Sequence, residues 1–212
     1  MVSMLFQGYL VSLGIFAITL MGAIPLGVLV ALGRLSRFKP LSWLMQFYIS
    51  VMRGTPLMLQ MFAVFFLPFY AFGITTGPNY MLIAVMIAFV INYAAYFAEI
   101  YRSGIQSMPR GQYEAAEVLG YSKRQTFSRI ILPQVIKRVL PAMGNEIVTL
   151  IKDTSLAFSI GVSEMFTTGR ALVASQRAMV PFALAAAIYW LTCLAIQWVL
   201  GRAEKHLAYY HD

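Results

Sequence analysis

Apolar positions along this chain gather into long uncharged blocks instead of alternating with polar ones. Met1 to Gly33 contains no Asp, Glu, Lys or Arg, and neither does Gly54 to Ala98 or Ala178 to Gly201. A bilayer-crossing helix needs about 20 predominantly apolar residues, so these blocks predict one, two and one spans. A further stretch, Val139 to Ile151, carries Glu146 as its only charge and predicts a fifth. The expected spans are 5–32, 56–70, 81–101, 134–151 and 178–200, in an all-α integral membrane protein with one transmembrane domain over 1–212. Gly14, Gly22 and Gly27 place small residues along the first span, where helices in lipid approach closely, and Pro25 is expected to bend it. Leu41 to Met52 is apolar but short, with Trp43 and Tyr48 as anchors, and is expected to lie along the membrane surface. Gly73 to Asn79 has the composition of a short external loop.

Residues 106–132 differ in kind, being polar yet patterned. Gln112 to Leu119 follows a short helical pattern closed by Gly120, the position of a C′ glycine. Ser122 with Gln125 three residues later predicts a capping box that opens a second helix, ending near Leu132 before Pro133. An ordinary helix–helix connection needs only about 2–8 residues, so this segment reads as a built element.

Composition and charge sharpen the class. Hydrophobic residues make up 60% of the 212 positions and charged residues 11%, against roughly 25% charged in a soluble domain. The net charge of +8 is not spread as a nucleic-acid surface would be. Arg34, Arg37 and Lys39 follow the first span, seven basic residues lie between Arg102 and Arg138, and Arg202 and Lys205 follow the last. The segment from Gly73 to Tyr80 is uncharged. Under the positive-inside rule this predicts an external N-terminus, a cytoplasmic 106–132 segment and a cytoplasmic C-terminus. Arg170 and Arg177 fall on the outer side and break the pattern. The first block lacks a basic n-region and is too long for a signal-peptide core, so it is expected to be a retained helix. Cys193 is the single cysteine and is expected to pack in the last span; His206 and His211 have no neighbours that point to a metal.

Glu114-Ala115-Ala116-Glu117-Val118-Leu119-Gly120, followed by Ile131-Leu132-Pro133, resembles the EAA loop of ABC importer permeases. Arg53-Gly54-Thr55-Pro56, Ala95-Tyr96-Phe97-Ala98-Glu99 and Lys152-Asp153-Thr154-Ser155-Leu156 resemble the polar-amino-acid subfamily, and the likeness runs in order along nearly the whole chain. The resemblance implies that Glu114, Ala115, Ala116 and Gly120 couple to an ATP-binding subunit dimer, with ATP and Mg held there and no cofactor in this chain. It also implies a second permease subunit, identical or homologous, an extracytoplasmic amino-acid-binding protein, and the bacterial cytoplasmic membrane as location. The chain itself has no G-x-x-x-x-G-K-S/T loop to cradle phosphates, so nucleotide energy has to enter through an element a partner pushes. Ala115 and Ala116 permit close approach, and Gly120 permits a sharp turn.

Ionisable side chains within spans are costly and mark functional sites. Glu146 lies within the fourth expected span, and Asp153, seven residues on, returns to nearly the same helical face. Two carboxylates on one face would attract a substrate ammonium or cationic side chain; pairing within the protein, with Lys152 beside Asp153, is the plainer alternative. Asn92, mid-span beside Tyr93 and Tyr96, suits either substrate contact or an interhelical hydrogen bond. Glu99 and Arg102 are spaced for an i,i+3 pair, and Arg53 suits an interfacial position or a gate brace. A secondary transporter would need no EAA-like loop and commonly shows internal repeats, of which none is visible. Among intramembrane enzymes, neither a Ser/His arrangement nor H-E-x-x-H occurs in a suitable position. ATP-dependent uptake separates an ABC importer from a secondary transporter or channel.

Overall fold

The computed structural model describes residues 1–77 and 79–207, and no strand occurs among the described residues. His211 lies outside them. Helix α1 (Val2–Arg34) stays helical through Pro25 and outruns the expected first span at both ends. Helices α2 (Lys39–Gly54) and α3 (Leu57–Phe72) follow, and then α4 (Tyr80–Gln106), which packs along α1 at the centre of the molecule. Absent side chains set that approach. An added Cβ on Gly27 would lie 2.9 Å from the Phe97 Cβ and 3.2 Å from the Ala94 carbonyl oxygen, and one on Gly22 would meet Val90 at 2.9 Å. Gly14 faces open space and makes no such contact. The core around this seam contains Ile15, Ala23, Val85, Ala88, Phe89, Tyr93 and Phe97. In lipid such close packing, through dispersion, takes the place of the hydrophobic drive between helices.

The segment expected along the membrane surface is α2, and it meets α3 at an angle of 111°. The corner follows from Pro56. A residue before proline is pushed out of the helical region, and Thr55 is extended at φ −123°, ψ 148°, with Pro56 itself at φ −61°, ψ 133°. Two successive extended residues redirect the chain before α3 begins.

Beyond α4 the 106–132 segment is helical, as its pattern predicts, but it does not end at Pro133. Helix α5 (Arg110–Val118) turns at Gly120 into α6 (Lys123–Gln125), a π-helical stretch (Thr126–Ile131), and α7 (Leu132–Asp153) without a break. The Leu132 N–H donates to the Phe127 carbonyl, five residues back. Proline interrupts an α-helix by lacking a donor and crowding the carbonyl four residues earlier, and the wider π turn accommodates both effects. The second loop helix and the fourth expected span are therefore one continuous rod. This rod crosses α4 where Gly104 lacks a side chain: an added Cβ there would lie 2.3 Å from Val139 Cγ1. Met108, Ile131, Val135 and Val139 are buried around the crossing.

After α7 a 3-10 stretch (Thr154–Ile160) reverses at Gly161, φ 89°, and leads into α8 (Met165–Gln176). The sequence reading does not anticipate α8, because its apolar residues are too few and too scattered to form a block. It packs between α1 and the last helix, α9 (Val180–Leu207), which also contacts α7. Among the described residues three helices are long and apolar enough to cross a bilayer: α1, α4 and Val180–His206 of α9. The bent pair of α2 and α3 passes the same test only when taken together. Helix α7 has the length, but with Lys137, Arg138, Glu146, Lys152 and Asp153 it is too polar to pass the same test.

Candidate functional site

Glu146 and Asp153 lie two helical turns apart on α7, about 10 Å along the axis at 1.5 Å per residue. Both side chains are half-buried. Asp153 Oδ2 accepts a 2.7 Å hydrogen bond from the Tyr93 hydroxyl of α4. Tyr93 is held by its own packing, 2% exposed, with Phe89 stacked at 6.3 Å and Phe97 at 6.2 Å. Glu146 lies within electrostatic reach of Asp153 and of Arg53, the basic residue in the last turn of α2. The Arg53 guanidinium in turn sits 5.3 Å from the ring centroid of Tyr96, a cation–π contact. The structure thus brings the two predicted carboxylates into one polar face with Tyr93, Tyr96 and Arg53 around it. The arrangement offers acceptors for an ammonium or guanidinium group, with a cation close by for a carboxylate.

Asn92 is placed differently. It is 4% exposed and donates through Nδ2 to Gln60 Oε1 at 2.9 Å and to the Met52 carbonyl at 3.0 Å. Gln60, 8% exposed, directs its Nε2 at the Met52 carbonyl, the Thr55 carbonyl and Thr55 Oγ1, at 2.9, 3.1 and 2.8 Å. The last carbonyls of a helix have no partner within it. These two amides satisfy them at the end of α2 and so fasten the 111° corner. Of the alternatives open for Asn92, the geometry favours the interhelical bond. Gln60 escaped notice in the sequence, though it is the only amide between Gly54 and Pro78, and an amide at that depth needs partners.

The Glu99–Arg102 pair forms as spaced, with Arg102 Nε donating to Glu99 Oε2 at 2.9 Å and Arg102 Nη2 to Oε1. Glu164 is a second residue that sequence reasoning missed. Its residue is 0% exposed, and its carboxylate accepts the N–H groups of Phe166 and Thr167, both at 2.7 Å, and the Thr167 hydroxyl at 2.9 Å. The Tyr189 hydroxyl of α9 adds a bond at 3.4 Å. An anion at a helix N-terminus is stabilised by the free N–H groups and the dipole. Glu164 therefore caps α8 and ties it to α9. Gly8 of α1 lies against the same point, since an added Cβ would come within 2.9 Å of the Glu164 carbonyl.

The loop residues divide by face. Ala116 is buried at 1%, whereas Glu114, Ala115 and Gly120 are exposed. Gly120 has φ 78°; its N–H donates to the Glu117 carbonyl at 2.9 Å, and the Tyr121 N–H donates to the Ala116 carbonyl at 3.0 Å. That pair of bonds is the Schellman arrangement, which a glycine in the left-handed region closes. The predicted capping box is present: the Gln125 N–H donates to Ser122 Oγ at 3.4 Å, and the Ser122 N–H donates to Gln125 Oε1 at 2.9 Å. Between these two local devices the tip presents Val118 at 87% and Leu119 at 72% exposure. Neither side chain is covered by this chain's own core.

Comparison with known proteins places this geometry. Residues 23–209 match the family described as binding-protein-dependent transport system inner membrane component. The chain is 39% identical over 187 residues to the L-cystine transport system permease protein TcyB of Bacillus subtilis (strain 168), covering 87% of this chain and 78% of that protein. It is 32% identical over 202 residues to the arginine transport system permease protein ArtQ of the same organism, covering 95% of this chain and 91% of that one. It also superposes on a chain from the crystal structure of an amino acid ABC transporter with histidines, at a TM-score of 0.87 and 30% identity, covering 97% and 94% of the two chains. These relatives are named as permease proteins and not as enzymes, and the chain belongs to the family of inner membrane components of binding-protein-dependent transport systems.

Proposed function

We propose that this permease subunit carries α-amino acids inward in an ATP-driven importer of a bacterial cytoplasmic membrane. The observation that carries the reading is the polar face of α7, where Glu146 and Asp153 project from a helix packed against α4 and α9. Every amino acid has an ammonium group for such carboxylates, and the names of TcyB and ArtQ fit substrates of that class. Cationic and neutral polar amino acids suit the face better than acidic ones. Asn92 acts indirectly, by holding the corner that presents Arg53.

The complex contains a second permease subunit, an ATPase dimer seated on α5 and α6 with ATP and Mg bound to it, and an extracytoplasmic amino-acid-binding protein. One subunit of this size encloses no path alone, so two pair about a two-fold or pseudo-two-fold axis with the carboxylate faces towards the shared cavity. Five crossings by α1, α3, α4, α7 and α9 are supported by the length of α4, which separates Thr76 from the 106–132 hairpin, and by the basic clusters on the hairpin side. That arrangement puts the N-terminus outside and the C-terminus in the cytoplasm.

Reconstitution with the ATPase and binding protein tests the function: uptake of at least one of arginine, cystine, glutamine, histidine or glutamate is expected, and only with ATP hydrolysis. Uptake that persists without nucleotide would favour a secondary transporter. Topology has its own test. A cysteine at Thr76 is expected to react with an impermeant maleimide from outside intact cells, and one at Ser122 only in inverted vesicles. Labelling of both from one side rejects the five-crossing arrangement.

A further inference from the structure

Helix α2 packs with one face only. Ile49 is buried among Val30 and Ala31 of α1 and Ala95 and Ala98 of α4, with Met45, Tyr48 and Met52 beside it. Tyr48, expected as a surface anchor, is turned into this core, where its hydroxyl donates to the Ile91 carbonyl. The other face presents Trp43, Leu44 and Phe47, each more than half exposed, and Phe38 stands exposed just before it. These side chains continue the exposed apolar belt of α1, whose last members are Leu29 and Leu32. The edge of the same face is basic. Lys39 lies four residues before Trp43 and eight before Phe47, in one row along the helix, and Arg37 immediately precedes Phe38. Both are exposed, and among the described residues neither side chain makes an ion pair or a hydrogen bond. The chain has no carboxylate before Glu99, which is itself held by Arg102. Arg37 also borders a cavity whose other walls include Tyr113, Glu117, Tyr121 and Lys123 of the hairpin, so α2 starts on the hairpin side; Glu117 makes no ion pair with it, and Lys123 adds a further cation. The turn is fixed from below. Ser42 Oγ donates to the Arg34 carbonyl at 2.8 Å and accepts from Arg34 Nη1 at 2.9 Å, and the Phe38 N–H donates to Ser36 Oγ at 3.2 Å. Gly33 admits Met45 at this point, since an added Cβ would lie 2.9 Å from Met45 Cγ.

We propose that the exposed face of α2 is a binding site for an anionic phospholipid in the hairpin-side leaflet. Arg37 and Lys39 hold the headgroup phosphate, and Phe38, Trp43 and Phe47 lie along the acyl chains. A helix in the membrane plane sinks its apolar face to the boundary between headgroups and acyl chains, which leaves basic residues on its edge at the level of the phosphates. Guanidinium and ammonium groups both bind phosphate through charge-assisted hydrogen bonds. A zwitterionic lipid carries its own cation, which competes with Arg37 and Lys39 for its phosphate, whereas phosphatidylglycerol brings none. The pairing of cation and apolar row is thus the complement of a lipid with a net negative head. This site does not depend on what the permease carries, only on its seat in a bilayer.

The chain has three tryptophans, Trp43, Trp190 and Trp198, so a single one can be made to report on its own lipid neighbours. The full chain with Trp190→Phe and Trp198→Phe is reconstituted into vesicles of phosphatidylcholine and phosphatidylglycerol, and quenching of Trp43 by brominated forms of each lipid is measured. Phosphatidylglycerol is expected to bind beside Trp43 about fivefold more strongly than phosphatidylcholine, the scale of one basic residue at a membrane surface. The control retains only Trp190, which is exposed on α9 with no basic residue within two turns, and it is expected to show no preference. Arg37→Gln with Lys39→Gln is expected to bring Trp43 to the level of Trp190, and Arg37→Lys with Lys39→Arg to keep the preference. If the doubly neutralised chain does not insert, each single Gln variant is measured, and each is expected to lose part of the preference. Equal quenching of Trp43 by the two lipids overturns the site. So does an equal preference at Trp190, which would reduce the effect to general attraction by the net charge, or a preference that survives neutralisation. Trp43 left unquenched by both lipids also overturns it, because the face would then be covered by protein, such as a second copy of this chain.

Discussion

Glu146→Gln is expected to lower ATP-driven uptake by the reconstituted complex about tenfold or more, while the complex assembles and its basal ATPase activity survives. A hydrogen bond to a charged group contributes about 1.5–3 kcal/mol, and about 1.4 kcal/mol corresponds to a factor of ten. Glutamine keeps the shape and one acceptor of Glu146 but removes the charge that an ammonium would meet. The half-buried position of Glu146 beside Arg53 and Asp153 makes the charge count, since water screens it incompletely there. Were Glu146 only a structural partner of Arg53, the loss would appear first in assembly and thermal stability, with uptake per assembled complex unchanged. That outcome would exclude the ligand role. Asp153→Asn is expected to have a smaller effect, because the Tyr93 hydroxyl already takes one of its oxygens.

Gly120→Val is expected to leave the permease in the membrane at normal abundance yet to abolish its co-purification with the ATPase. Space is not the obstacle, since nothing lies within 4 Å of an added Cβ there. The backbone is. At φ 78° an L residue adopts the left-handed conformation, at about 1–2 kcal/mol for an ordinary side chain and more for a β-branched one. Relaxing that angle would break the two hydrogen bonds that close α5 and swing Val118 and Leu119 off the tip. Gly120→Asn is the matched control, because asparagine tolerates this region, and it is expected to retain most of the coupling. A Gly120→Val complex that is normal in composition and transport would refute the idea that this turn shapes the docking surface.

The parts of this structure that are legible in sequence are those fixed within a few residues of themselves. The Ser122–Gln125 capping box, the left-handed Gly120 and the Glu99–Arg102 pair all involve partners three or four positions apart, and all are present. The parts that are not legible depend on distant chain. The α2–α3 corner needs Asn92 from α4 to satisfy the end of α2, thirty-odd positions away from Gln60. Glu164 looks like a loop carboxylate until Tyr189 and Gly8 close over it. Pro133 carries a local signal that points to a helix end, and the π turn before it reverses the outcome. Helix α7 has the length of a span but carries five charges, so composition alone does not mark it as one. The candidate site was half visible, since the spacing of Glu146 and Asp153 placed them on one face. Spacing alone had no means of bringing Tyr93 and Arg53 to the same place.

The unbroken passage from Lys123 to Asp153 makes the hairpin and the carboxylate face two points on one lever. Its fulcrum is the close crossing of Gly104 and Val139, where α7 is pinned against α4. Glu146 lies seven residues beyond that pivot and Lys123 sixteen residues before it, about 10 and 24 Å along the axis. A tilt of about 10° would therefore shift the hairpin by roughly 4 Å and Glu146 by roughly 2 Å in the opposite direction, provided the rod stays stiff. Two ångströms is enough to turn a hydrogen bond into a gap. A push at the ATPase surface would then loosen a bound ammonium directly, with no chain of side chains needed to relay it.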